Sequence, residues 1–324
     1  MQFGRRLLAR ACVVVLMMML AVACSSGAEQ TTEESTPDAG GGAESEPVSE
    51  AASAAPASVS PEEYQQALAT LDEQLAAGFG EIAKIKKPAG LTEAVTNLRD
   101  QVDQQRSTFA EVVPPENVAA AHADLDAALL QLSDDLSVLE GEVSSGVVCA
   151  GGAAVRRAGN SEGAAAVRAA AEGIASADPA AQYTVGSFVP AQEDEKNRRG
   201  RNGDLRPGKR GGIGELQITG TPNNDAVIKL REGDESVRNV YVRKDTTVNV
   251  NQIPDGNFDV YAAYGVDWNA STGRFTRECV FTKFDDKLEF TSTATTYTTW
   301  QMQLTETAFG NARATPVDPA EFPD

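Results

Sequence analysis

The sequence has few histidines, cysteines and aromatic residues, and its acids far outnumber its bases. It contains one histidine, four cysteines, 6% aromatic residues, and 28 Lys and Arg against 47 Asp and Glu. One histidine leaves little scope for Ser-His-Asp or Cys-His catalysis. The net charge of -19 argues against a nucleic-acid partner, because phosphate neutralisation requires an excess of Lys and Arg. The composition therefore favours neither a histidine-dependent hydrolase nor a nucleic-acid-binding protein.

The N-terminal segment has the pattern of an export signal. Three arginines, Arg5, Arg6 and Arg10, precede an apolar run over residues 11–23. This run is shorter than the ~20 apolar residues that a membrane-spanning helix needs, and it suits the core of a signal peptide. It closes on Leu20-Ala21-Val22-Ala23-Cys24, which resembles the lipobox of bacterial lipoproteins.

This resemblance implies cleavage before Cys24, a diacylglyceryl group on its thiol, and a lipid anchor at the outer face of the cell membrane. The sequence departs from the lipobox at Ala21, where leucine is usual. The alternative is an ordinary signal peptide cleaved after Ala23, since Ala21-x-Ala23 also fits the small-x-small pattern. We expect lipidation at Cys24, an extracytoplasmic location and a membrane contact made through the lipid.

Residues 24–60 form a predicted acidic tether. They are rich in Ser, Glu, Ala and Gly, and they contain no cation and no aromatic residue. Such a segment cannot bury enough apolar surface to fold. As a flexible coil it would span about 35 Å, which separates the following residues from the lipid surface.

A helical pattern begins at Ser60. Ser60, Pro61 and Glu63 form a capping-box sequence with proline at the first helical position. Apolar residues then recur at spacings of three and four. His122 lies between alanines on the third predicted helix, and we expect it on the surface. The predicted helices cover 61–87, 91–112 and 118–143, with an Ala-rich fourth around 162–177.

Residues 181–212 form a predicted flexible basic linker. Gly, Arg and Asn are concentrated there, and nearby acids moderate the positive charge. The alternative is a segment that binds an anionic polymer or lipid headgroups. The cations of the linker are Lys196, Arg198, Arg199, Arg201, Arg206, Lys209 and Arg210.

From Ile213 the apolar residues alternate, and turn residues separate short segments, which is typical of a β-sandwich. The stretch 247–264, with Pro254-Asp255-Gly256 at its centre, resembles a motif of prealbumin-like and carboxypeptidase-regulatory-like sandwiches. Residues 213–311 also resemble a repeated module of uncharacterised bacterial proteins, and neither resemblance implies an activity. The predicted strands are 215–219, 226–231, 237–243, 246–251, 257–264, 278–284, 287–291 and 296–305.

The predicted fold class is α+β and multidomain, with an antiparallel helical bundle followed by a separate antiparallel β-sandwich. Short connections between helices of similar length favour antiparallel neighbours. The predicted organisation is signal peptide 1–23, tether 24–60, helical bundle 61–180, linker 181–212, β-sandwich 213–311 and C-terminal tail 312–324.

Cys149 and Cys279 are the cysteines that remain besides Cys12 and Cys24. Outside the cytoplasm two thiols can pair, so one interpretation is a disulfide that ties the helical region to the strands. The alternative is two buried, unpaired cysteines that act as small apolar residues. Spacing along the chain does not decide between them, because pairing depends on geometry.

One group of oxygen-bearing residues has the spacing of a calcium loop. Asp267, Asn269, Ser271 and Glu278 correspond to the first, third, fifth and twelfth positions of an EF-hand. However, Thr272 stands where that loop needs glycine, and the flanking residues have strand patterns. We favour an acidic hairpin loop and expect no cofactor, with calcium as the weaker hypothesis.

These features predict a non-catalytic surface lipoprotein that displays an interaction module to the cell envelope. Its partner would be an envelope protein or the cell wall. The alternative is an envelope-directed hydrolase that uses paired carboxylates at a domain interface. An exposed aromatic patch involving Trp268 or Trp300 would favour the first hypothesis. We expect Trp300 itself to pack in the core, because it lies in the middle of a predicted strand.

Overall fold

The structure, a computed structural model, describes residues 57–205, 208–209, 211–304 and 313–323. Cys24, the predicted signal peptide and most of the predicted tether lie outside these residues. The described part is α+β, with helices in its N-terminal portion and mostly antiparallel strands in its C-terminal portion.

Five α-helices occur in the described residues, and their buried apolar residues form one hydrophobic cluster. The first helix begins as predicted: the Ser60 hydroxyl accepts from the backbone N–H of Glu63, whose carboxylate accepts from the N–H of Ser60. No helix of this described part combines the length and apolar character needed to cross a bilayer. The helices are α1 (Pro61–Lys84), α2 (Leu91–Ala110), α3 (Ala119–Ser144), α4 (Gly151–Gly159) and α5 (Glu162–Ala177).

His122 is buried in the helical core, so the predicted surface position is wrong. Its Nδ1 lies 3.2 Å from the Tyr64 hydroxyl, and its ring stacks on Phe109 with centroids 4.1 Å apart. The physical reason is helical spacing: His122 follows Val118 by four residues and precedes Leu125 by three, and both are core residues.

The strands form two sheets. The larger sheet has the order β1-β4-β3-β6-β7-β10 with β8 also paired to β6, and all these pairs are antiparallel. The smaller sheet has the order β5-β2-β9, with β2 and β9 parallel, and apolar side chains from both sheets share one core cluster. The strands are β1 (Gly203–Asp204), β2 (Gly214–Thr219), β3 (Asp225–Glu232), β4 (Glu235–Val242), β5 (Thr247–Ile253), β6 (Gly256–Asn269), β7 (Arg274–Phe284), β8 (Leu288–Phe290), β9 (Thr299–Gln303) and β10 (Ala314–Pro316).

Parts of the predicted linker and tail pack against the folded structure. Tyr183 and Phe188 are buried in the helical core, and β1 pairs with β4. At the other end β10 pairs with β7, and the Phe322 ring lies 4.9 Å from that of Phe281. The sequence favours a linker and a tail here because these residues lack a periodic apolar pattern. Their contacts are with residues distant in sequence.

The two tryptophans have opposite environments. Trp268 is buried, with edge contacts to Tyr241 and Phe275. Trp300 is exposed, although its Nε1–H donates to the backbone oxygen of Glu289 at 2.9 Å. The core position expected for Trp300 is therefore wrong. It lies near the beginning of β9, at the edge of the smaller sheet, and not in the middle of a covered strand.

The buried histidine predicts a pH-dependent stability. Burial lowers the pKa of His122, and the Asp126 carboxylate opposes this only in part. The unfolded chain, with an ordinary histidine pKa of about 6.5, therefore binds the proton more tightly than the folded chain does. The free energy of unfolding should fall as the pH is lowered from 7 towards 5, as measured by urea denaturation.

His122→Gln should remove this pH dependence. Because His122 is the only histidine of the chain, no other side chain ordinarily titrates in that interval. A variant whose free energy of unfolding still falls between pH 7 and 5 as steeply as that of the wild type would contradict the assignment.

Candidate binding site at the helix–sheet junction

A short segment between α3 and α4 attaches the helices to the larger sheet. Residues 146–149 run antiparallel to β7: the N–H of Cys149 donates to the oxygen of Thr276 at 3.0 Å, and the N–H of Cys279 donates to the oxygen of Gly146 at 2.8 Å. Cys149 and Cys279 are joined by a disulfide across this pairing, with Cα atoms 6.3 Å apart. These bonds hold the start of α4 close to the β6–β7 hairpin.

An irregularity in the β6–β7 hairpin shapes the sheet side of the junction. The register shifts between Tyr264 and Val266, and Glu278 has a φ of 51°. Gly265 lies at the shift, where a Cβ atom would come within 2.6 Å of Phe275. A β-bulge of this kind increases the local twist and reorients the neighbouring side chains. The sequence therefore needs a residue without a side chain at position 265.

An ion pair with a buried carboxylate lies beside the hairpin turn. Asp267, whose side chain is 1% exposed, accepts hydrogen bonds from Nε and Nη2 of Arg198, each at 2.7 Å. The Thr276 hydroxyl donates to the same carboxylate at 2.6 Å. Burial raises the pKa of Asp267, but the hydrogen bonds from Arg198 and Thr276 outweigh it and lower the pKa to about 2. Asp267 is therefore an anion that is already neutralised.

A second pair lies on the adjacent strand. Asp225 accepts from Nε of Arg199 at 2.8 Å and from the Tyr241 hydroxyl at 2.6 Å. Burial raises the pKa of Asp225, and these hydrogen bonds more than offset it, so the pKa is lowered. The consecutive arginines thus each hold one buried carboxylate.

A cavity of about 170 Å³, here called the paired-arginine cavity, is lined by both ion pairs and by Lys244. Its two carboxylates, Asp225 and Asp267, both have lowered pKa values. A glycosidase pair needs one carboxyl group with a raised pKa to act as general acid. Both carboxyl groups of this cavity have a lowered pKa, so neither supplies the general acid that the hydrolase hypothesis requires.

A larger cavity of about 230 Å³, here called the junction cavity, opens between the helices and the hairpin. Its lining comes from the end of α1, the first two turns of α4, the basic part of the predicted linker and the β6–β7 hairpin. Four cations contribute, namely Lys86, Arg156, Lys196 and Arg198, whereas Asp267 is the one acid of the lining. Its remaining polar residues are Asn269, Ser271, Thr272 and Thr276.

The structure does not bring all four residues of the predicted calcium loop together. Asp267, Asn269 and Ser271 line the junction cavity, but Asp267 binds Arg198, and Oδ1 of Asn269 accepts from the Ser271 hydroxyl at 2.8 Å. Glu278 is exposed at the bulge and does not line this cavity. In the part of the chain that the structure describes, no three His, Cys, Asp or Glu side chains form a group that could hold a metal ion.

Two cations of the junction cavity are not identified by sequence reasoning. The sequence places Lys86 only within the last turn of the predicted helix 61–87, and it predicts no separate helix over 151–159, the stretch that contains Arg156. A signal that could have located them is the pairing of Cys149 with Cys279, because it brings α4 to the β6–β7 turn.

Comparisons with known proteins yield no match. No protein-family model, no curated protein and no solved structure shows significant similarity to the chain.

The Arg198–Asp267 pair should contribute to stability. Asp267→Asn should lower the free energy of unfolding near pH 7 by about 2 kcal/mol, which is the free energy equivalent of the lowered pKa. The wild type should lose this contribution as the pH falls from about 4 towards about 2, because the folded-state pKa lies below the unfolded value. Urea denaturation at neutral and acidic pH measures both effects.

Glu278→Gln is the matched control. It removes one carboxylate from the same hairpin, but the Glu278 side chain is exposed. Its free energy of unfolding should stay close to that of the wild type. Equal losses in Asp267→Asn and Glu278→Gln would show that the ion pair is not the source of the stability.

Proposed function

We propose that the chain is a non-catalytic surface lipoprotein, anchored to the membrane through Cys24, that presents a folded interaction module to the cell envelope. The lipobox-like sequence before Cys24 and the acidic segment after it support the anchor and the tether. We interpret the helices as an antiparallel bundle and the two sheets as a β-sandwich, which together form the displayed module.

An exposed apolar patch on the smaller sheet carries the interaction proposal. Ile213, Tyr297 and Trp300 are 52%, 49% and 39% exposed. β2 and β9 are parallel, with Glu215 opposite Thr299, so Ile213 and Tyr297, each two residues earlier, lie at the same end of these strands. Ile213 and Tyr297 therefore lie near one end of β2 and β9, and Trp300 follows on β9, opposite Leu216.

The chemistry of this patch suits a protein partner. Tyrosine and tryptophan are enriched in the cores of protein interfaces, where they contribute much of the binding energy. Among the described strands, β9 is the last of its sheet and is paired only with β2. An edge strand offers backbone donors and acceptors beside the apolar side chains. An envelope protein that contacts this patch could use both.

The hydrolase alternative draws no support from the carboxylates of the two cavities. Asp225 and Asp267 are each held by an arginine. We therefore keep the binding hypothesis as the proposed function.

The lipid anchor can be tested by Cys24→Ser in the producing cell. The variant should lose incorporation of a labelled fatty acid and should leave the membrane fraction, because the acyl chains are the proposed source of membrane affinity. Cys12→Ser is the matched control, since Cys12 lies within the predicted signal peptide and should be removed with it. Fatty-acid labelling that persists in Cys24→Ser would refute the anchor.

The patch can be tested by chemical cross-linking on intact cells. Tyr297→Ser combined with Trp300→Ala should reduce the yield of specific cross-linked adducts by more than about tenfold, since aromatic hot-spot residues each contribute about 2 kcal/mol or more. Val138→Ser, at an exposed apolar residue of α3, is the control and should leave the yield unchanged. Thermal denaturation checks that both variants fold. Equal adduct yields in the wild type and the double variant would contradict the proposed surface.

A further inference from the structure

We propose that the junction cavity binds a small, soluble polyol phosphate. In this assignment Lys86, Arg156 and Lys196 bind the phosphate, and the polar residues of the β6–β7 turn bind the hydroxyl groups. Every one of these residues belongs to the folded part of the chain. The inference is therefore independent of the lipid anchor and of the exposed patch.

The junction cavity is positively charged, whereas the chain as a whole is acidic. The whole chain has a net charge of -19, yet four cations and one acid line this cavity. Asp267 neutralises Arg198, and Glu193 lies 3.4 Å from Arg156 and 3.3 Å from Lys196. Positive charge remains in excess after Glu193 is included. A concave site with this excess attracts an anion.

Two of the cations are free to contact a ligand. Lys86 forms no ion pair with any residue that the structure describes. The side chain of Arg156 is 9% exposed, and its hydrogen bond to Glu193 uses Nε. Within the described residues, the two terminal nitrogens of this guanidinium have no acceptor. A guanidinium that is mostly buried and still has free donors suits a phosphate oxygen.

The opposite wall of the cavity suits hydroxyl groups. Asn269 uses Oδ1 to accept from the Ser271 hydroxyl, which leaves its Nδ2 group available to donate. The Ser271 oxygen can in turn accept from a ligand hydroxyl. The Thr276 hydroxyl is already committed to Asp267. The wall therefore offers both a donor and an acceptor to a neutral polar group.

The size of the cavity limits the ligand. An apolar cavity of roughly 150 Å³ in another protein holds benzene. The junction cavity has about 230 Å³, so it accommodates a molecule of about ten non-hydrogen atoms. Glycerol 3-phosphate has this size and carries both the phosphate and the hydroxyl groups. A nucleotide is about twice as large.

Isothermal titration calorimetry on the full chain in detergent, with glycerol 3-phosphate as the probe, tests the assignment. Lys86→Gln should weaken binding by about tenfold, the effect of losing one charge-assisted contact. Lys84→Gln is the matched control. It makes the same change of charge two residues earlier on α1, but Lys84 is exposed and does not line the cavity. Its affinity should equal that of the wild type.

Three results would overturn the inference. They are an absence of binding heat with the wild type, equal weakening in Lys84→Gln and Lys86→Gln, and equal wild-type affinities for glycerol 3-phosphate and inorganic phosphate. The last would show that the hydroxyl groups are not recognised. Because Lys86 is exposed, its substitution should leave the thermal midpoint unchanged, and loss of binding then reports on the site and not on unfolding.

Discussion

The antiparallel pairing of residues 146–149 with β7 is the constraint on which the rest of the structure depends. It joins the helical portion to the sheets, and the Cys149–Cys279 disulfide closes a separation of 130 residues across it. In the chain-entropy account, a loop of this length restricts the unfolded chain by about 5 kcal/mol. Such a bond persists in an oxidising compartment, which the proposed export would provide.

The elements predicted well from the sequence are those with a strong local period. The capping box of α1 and the apolar stripe of α3 both arise from residues close in sequence. In contrast, α4 begins at Gly151, where a Cβ atom would lie 1.7 Å from the oxygen of Ile82. Its glycine is required by contact with α1 and carries no periodic signal. The pairing of β10 with β7 is likewise not predicted, because the residues of β10 carry no periodic apolar signal.

The sequence indicates some polar residues of the candidate site, but it does not indicate which cation binds them. Asp267 and Asn269 lie at the end of β6 and Ser271 lies in the following turn, and all three line the junction cavity. Their spacing cannot show which cation meets them, because Arg198 comes from a segment far away in sequence. The Arg198 guanidinium binds Asp267, the carboxylate that the weaker calcium hypothesis assigns to a metal ion. Since either cation suits a buried carboxylate, only the tertiary contact distinguishes them.

The cations of the predicted linker 181–212 have two kinds of role: some form structural ion pairs, and others line the proposed phosphate site. Arg198 and Arg199 neutralise buried carboxylates, and Lys196 lines the junction cavity together with Arg198. Charges separated by more than about 8 Å are largely screened at physiological salt, so a small anion inside the cavity experiences mainly the nearby cations. A long polyanion would also meet the surrounding acidic surface of a chain with net charge -19. The same electrostatics that permit a small phosphate ester therefore disfavour an anionic polymer.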